Sequence, residues 1–198
     1  MLLFAGLGNM GKAFAGHRHN VGFMALDAIA RAHKAPAFRP RFQGLVSEIA
    51  LAGERVLLLK PQTYVNDSGR SAGEAARFYR LDPSMIVVFH DELDLPAGKV
   101  RVKTGGGNAG HNGLKSLSAH LGNEYRRVRI GIGHPGDKAL VHDYVLSGFA
   151  QEDIPWVENL CKAIPVHAAL LAEGKDEEFQ RKILDAMEKS GSSRAAPA

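Results

Sequence analysis

The run Met85-Ile86-Val87-Val88-Phe89 constrains the fold more than any other stretch of the chain. Successive side chains of a strand point to opposite sides, so five consecutive apolar residues fit a strand covered on both faces. Such a strand belongs in the middle of a sheet, with helices above and below. The remainder of the chain supplies both. Met1–Leu7 reads as a second buried strand running into a glycine loop. Val21–His33 reads as a helix with Asn20 as its cap and Val21, Ala25, Ala28, Ile29 and Ala32 on one face. Phe42–Leu51 and Arg55–Lys60 flank Gly53-Glu54 as a hairpin, Pro61–Asn66 is a loop, and a helix then runs to about Arg80. Val100–Lys103 and Arg127–Ile132 read as strands, and Leu114–Leu121, Gln151–Gly174 and Lys175–Lys189 as helices. Residues 133–150 show no regular pattern. The alternation predicts an α/β fold: a single-domain, three-layer helix–sheet–helix with a mixed, mostly parallel central sheet. The domain is expected over residues 1–190, with 191–198 a small, polar, flexible tail.

Composition then excludes several classes. Hydrophobic residues are 45% and charged residues 23% of 198, the mix of a folded globular chain rather than a disordered one. No apolar run approaches the roughly 18 residues that a membrane helix needs, and the opening residues lack the pattern of a secretory leader. The single cysteine, Cys161, excludes an internal disulfide and argues against a Cys-rich zinc site. A cytoplasmic protein with no membrane association is expected. The formal charge of +4 permits a polyanionic partner without requiring one.

Two catalytic patterns fail on context. Gly6-Leu7-Gly8-Asn9-Met10-Gly11 matches the dinucleotide fingerprint, but nine residues, Lys12–Asn20, separate it from the expected helix, whereas that fingerprint must open a helix at once. Gly69-Arg70-Ser71-Ala72-Gly73 matches the serine-nucleophile elbow, but the preceding strand ends near Lys60, too far back to hold the serine in a strained turn. His17, His19, His90, His111 and His134, with Asp91 and Asp94, lack the spacing that places two imidazoles on one helical face. No metal site is expected.

Other polar residues collect in loops beyond the carboxyl ends of the strands, where ligands of such folds bind. His19, between Arg18 and Asn20, suits acid–base work at neutral pH. Asp91, just after the central strand, could reach the same crevice and orient the imidazole; a turn or helix cap is the competing reading. Asn9, Asn66 and Asn112 offer uncharged donors and acceptors suited to peptide-like amides. Arg101 and Lys103 lie two apart on a strand and so share a face, near Arg126, Arg127 and Arg129 and the glycine run 105–107. That combination suits a phosphate contact, against the plainer reading of a solvated strand face.

These segments together resemble one family. Gly6-Leu7-Gly8-Asn9-x-Gly11, Arg18-His19-Asn20-x-Gly22, Lys60-Pro61-x-Thr63-Tyr64-x-Asn66-x-Ser68-Gly69, His90-Asp91-Glu92-Leu93-Asp94-Leu95-Pro96, Gly110-His111-Asn112-Gly113-Leu114 and Arg129-Ile130-Gly131-Ile132-Gly133-His134-Pro135-Gly136 are similar, in order, to bacterial peptidyl-tRNA hydrolase. The resemblance implies a monomeric, metal-independent and cofactor-free esterase that frees tRNA from peptidyl-tRNA released prematurely by ribosomes. It implies His19 as the base that takes a proton from water, and Asp91 as the carboxylate that stabilises it. Asn9 would discriminate blocked from free aminoacyl groups, with Phe14, Tyr64, Asn66 and Asn112 binding substrate. Arg101, Lys103 and Arg129 would clamp tRNA phosphate. Met10, Val65 and Phe14 depart from the usual proline, methionine and tyrosine, and Phe14 forgoes a hydroxyl. The alternative is an RNA-binding module without catalysis, which draws on the basic strand and the basic isoelectric point.

Overall fold

A computed structural model describes residues 1–192. Seven strands form one sheet: β1 (Leu2–Gly6), β2 (Arg39–Arg41), β3 (Gly44–Leu51), β4 (Glu54–Pro61), β5 (Ile86–Glu92), β6 (Val100–Thr104) and β7 (Arg126–Gly131). Their order is β2-β3-β4-β1-β5-β7-β6. The middle of the sheet, β4-β1-β5-β7, is parallel, and the margins β2-β3-β4 and β7-β6 are antiparallel. This is the mixed three-layer α/β fold expected. The principal helices are α1 (Val21–Ala32), α2 (Ser68–Tyr79), α3 (Asn112–Leu121), α4 (Val141–Val145), α5 (Ile154–Ala172) and α6 (Asp176–Lys189). Among the described residues no helix is long and apolar enough to cross a membrane. Most of the expected tail lies outside the described residues.

Alternation along the central strands produces the two layers of core. Phe4, Val87 and Phe89 face α1, α5 and α6 and pack with Leu26, Ile29, Trp156, Leu160 and Phe179. Leu3, Ala5, Ile86 and Val88 face α2 and α3 and pack with Ala72, Ala76, Leu114 and Leu117. Every residue of β5 is buried, as its all-apolar start requires. Each such large apolar side chain contributes about 1.5–3 kcal/mol on burial, so these two layers dominate the stabilisation.

Two glycines set the entry of α1. A Cβ on Gly22 would lie 2.3 Å from the Phe89 carbonyl oxygen, and one on Gly6 would lie 2.5 Å from the Gly22 carbonyl oxygen. Only glycine lets the start of α1 rest directly on the ends of β1 and β5. Gly6 therefore serves backbone packing, and the Gly6–Gly11 motif opens no α-helix: only the 3-10 turn Lys12–Phe14 follows Gly11. Ser71, at the centre of the other rejected motif, is fully buried inside α2. Gly69 beside it permits close packing on α3, since a Cβ there would lie 2.2 Å from the Ser116 carbonyl oxygen.

Four expectations need correction. Asp91 does not follow the central strand but lies within β5, and Asn112 is not in a loop but opens α3. Residues 133–150 are not wholly irregular: a short 3-10 turn at Lys138–Leu140 leads into α4. Asn20 does precede α1, but its side chain makes no cap to that helix.

Candidate active site

The site forms where the first 3-10 turns, the end of β5 and the start of α3 meet. A 3-10 turn at Arg18–Asn20 carries His19, and both of its neighbours are anchored. Arg18 turns away from the site. Its guanidinium donates to Ser147 Oγ (2.6 Å) and the Gly148 carbonyl (2.8 Å), lies 3.5 Å from the Asp153 carboxylate, and stacks over the Tyr144 ring. Asn20 grips the backbone of Asn9 from both sides: its Oδ1 accepts from the Asn9 N–H and its Nδ2 donates to the Asn9 carbonyl, both at 2.9 Å. The turn is thereby fixed to the segment 144–153 on one flank and to the glycine loop on the other.

His19 points between these anchors. Its Nδ1 lies 2.8 Å from Asp91 Oδ2, and Nε2 makes no hydrogen bond among the described residues. The second carboxylate oxygen, Asp91 Oδ1, lies 2.7 Å from His111 Nε2. The Asp91 side chain is only 2% exposed, and the His19 and His111 rings stand 4.9 Å apart. Burial pushes the Asp91 carboxyl upward, but the two imidazoles more than offset this and hold it well below the usual carboxylate range. Burial likewise opposes a charged His19, yet the charge and hydrogen bond of Asp91 prevail and raise its pKa above 6.5. His90, on the other side of the strand, is pushed down to about 3, chiefly by burial, and stays neutral.

The ligand atoms of His19, Asp91 and His111 lie within 4.8 Å of one another, a spacing that invites comparison with a metal site. Two ligands of a tetrahedral zinc ion, each about 2.0–2.2 Å from it, stand roughly 3.4 Å apart. The N···O separations of 2.7 and 2.8 Å are instead those of shared protons. The cluster is a hydrogen-bonded one, and the other histidines and Asp94 do not join it as ligands.

The remaining predicted residues are placed less tightly. Asn9 is held by its backbone, leaving its carboxamide without a hydrogen bond among the described residues. Asn66 lies in the 3-10 turn Val65–Asp67 that packs on α3, whose first residue is Asn112; both carboxamides are exposed. A Cβ on Gly113 would lie 3.0 Å from Leu7, so the start of α3 sits against the same glycine loop as Asn9. The Phe14 ring meets His17 edge-on at 5.4 Å, while Tyr64 is 77% exposed and stacks on nothing among the described residues.

The basic residues lie across β5 from the dyad. Arg101 pairs in register with Arg129, and Lys103 with Arg127, so all four share one face. His90, Glu92, Lys103, Arg127 and Arg129 line a cleft of about 310 Å³ that His19 and Asp91 do not touch. Arg129 is bound at 2.8 Å to Glu92, whereas Lys103 is exposed. Arg127 is buried and structural: it donates to the Gly107 carbonyl (2.8 Å), the Gly106 carbonyl (3.3 Å) and Asn123 Oδ1 (2.6 Å). The glycine run is thus tied down by its carbonyls, a role the sequence reading did not assign to Arg127.

The fold is that of an α/β protein with this imidazole–carboxylate cluster, a candidate site, at the carboxyl end of the parallel strands, and comparisons with known proteins identify its family. The family model described as peptidyl-tRNA hydrolase matches residues 3–191. The chain is 70% identical over 188 residues to the peptidyl-tRNA hydrolase of Methylocella silvestris, covering 95% of this chain and 96% of that protein. It is 64% identical over 191 residues to that of Beijerinckia indica, covering 96% of each. The crystal structure of peptidyl-tRNA hydrolase from Acinetobacter baumannii superposes with a TM-score of 0.87 at 36% identity, covering 92% of this chain and 94% of that one. The chain belongs to the peptidyl-tRNA hydrolase family, and it is an enzyme of that family.

Proposed function

We propose that this enzyme hydrolyses the ester between a peptide, or other N-blocked aminoacyl group, and the 3′-terminal ribose of tRNA, returning the tRNA to translation. The observation that carries the reading is the 2.8 Å bond between His19 Nδ1 and a buried Asp91 carboxylate. With Nδ1 committed to Asp91, His19 Nε2 is the atom that takes a proton from water as the water oxygen attacks the ester carbonyl. The imidazolium, stabilised by Asp91, then gives that proton to the departing ribose oxygen, and the carbonyl is restored as a carboxylic acid that ionises. A placed base contributes roughly 10²–10⁴ in rate. An activated ester requires no covalent nucleophile, and Cys161, in α5, is assigned no part.

In this reading the free carboxamide of Asn9 accepts a neutral amide beside the scissile ester and disfavours a free ammonium, which is costly to desolvate without a counter-charge. Asn66 and Asn112 bind and polarise the substrate, and Phe14 and Tyr64 present rings to it. Arg101, Lys103 and Arg129 take tRNA phosphate on the far side of β5. A monomer is the working unit in this reading. The test compares N-acetyl-aminoacyl-tRNA with the unblocked form. Release of N-acetyl-amino acid from the blocked form, with the unblocked form left intact, is expected; equal cleavage of both would remove Asn9 from its role, and cleavage of neither would end the reading.

A further inference from the structure

Asp91 faces two imidazoles, and the mechanism above uses only one. The other, His111, immediately precedes α3. Its Nδ1 accepts from the backbone N–H groups of Gly113 (3.1 Å) and Leu114 (3.4 Å), two of the donors that a helix start leaves without partners. A ring nitrogen that accepts carries no proton, so the proton of His111 sits on Nε2 and is donated to Asp91 Oδ1 at 2.7 Å. The first turn of α3 therefore fixes the tautomer that Asp91 needs.

We propose that His111 is a positioning residue that sets the pH range in which His19 works, by drawing charge from one oxygen of Asp91 while the other oxygen holds His19. This inference rests on the reading of His19 as the base. A carboxylate that accepts from a single imidazole concentrates its charge there and holds the imidazolium firmly. A second donor stabilises the anion and weakens that hold. His19 is then strongly oriented while its hold on a proton is kept in check, as suits a general base.

The surrounding charges are otherwise occupied. His90, whose ring meets His111 edge-on at 5.4 Å, is buried and neutral. Arg18 is turned toward Ser147, Gly148 and Asp153. Glu92 and Arg129 pair with each other on the far face of β5, and Arg127 of β7 is bound into the glycine run. The two oxygens of Asp91 answer to His19 and His111.

The test is the pH dependence of kcat/KM for N-acetyl-aminoacyl-tRNA in the unaltered enzyme, in His111→Leu and in His111→Gln. The acid limb is expected to move up by about one pH unit in His111→Leu. That variant then loses far more activity at pH 6 than at pH 8.5. His111→Gln, which can still donate to Asp91, is expected between the two. An equal loss at every pH with the limb unmoved would reduce His111 to a structural prop and overturn the proposal. A measurement on the unaltered enzyme needs no variant to fold: nitrogen-15 spectra of the histidine rings should show His111 protonated at Nε2 and bare at Nδ1. The opposite tautomer would overturn the inference as well. Absence of hydrolysis by the unaltered enzyme would instead sink the underlying reading of the site.

Discussion

The two sides of β5 are built on opposite terms. On the Asp91 side, short hydrogen bonds of 2.7 and 2.8 Å join three side chains, and both carboxylate oxygens are spent. On the His90 and Glu92 side lies a cleft with cations in unequal states: Arg129 half-committed to Glu92, Lys103 exposed, Arg127 buried for structure. One strand serves both because consecutive side chains alternate. The proton transfer proposed needs fixed geometry, and on that side the Asp91 carboxylate is buried with both oxygens paired. In the tRNA contact proposed, a polyanion would meet charge that can adapt to it, such as the exposed Lys103.

The contrast can be broken most severely at Asp91. Asp91→Asn presents an N–H group where two donors converge, so one imidazole must turn or lose its bond. Turnover is expected to fall by roughly 10²–10⁴ while tRNA affinity holds. A loss below tenfold would show that the carboxylate is dispensable. The opposite face should respond in the opposite manner. Lys103→Ala is expected to weaken tRNA binding severalfold and reduce the salt slope of binding by about one, with turnover at saturation retained. An unchanged salt slope would remove Lys103 from the phosphate contact.

The smallest effect concerns stability. His19 is raised above its unfolded value of 6.5, so its pairing with Asp91 stabilises the fold fully below that pH. That contribution is lost as pH rises through the folded value. The stability lead of the unaltered protein over His19→Gln in denaturant titrations should therefore be wider at pH 5.5 than at pH 8.5. A lead that widens with pH would reverse the sign of the coupling.

Much of this architecture was legible in the sequence because its signals are local. Met85–Phe89 announces a doubly covered strand, and the alternation of strand and helix patterns around it announces the α/β layers. The residues that hold the site through distant partners were not legible. Arg18 has no anchor in the sequence until 144–153 folds over it, and Asn20 reads as a helix cap until Asn9 lies beside it. β2, a three-residue edge strand containing Pro40, carries no pattern of its own. His111 escaped because histidine is not among the usual residues that begin helices, although its position just before Asn112-Gly113-Leu114 is where such a residue stands. The structure also assigns Arg127 to the glycine run, which basic charge alone could not separate from its neighbours.

The central claim is that His19, oriented by Asp91, takes the proton from the attacking water. Single-turnover cleavage of N-acetyl-aminoacyl-tRNA by His19→Ala, with tRNA binding measured on the same sample, addresses it most directly. The expected result is hydrolysis reduced by at least a hundredfold or so with binding intact. Cleavage near the unaltered rate by a variant that binds normally would contradict the account.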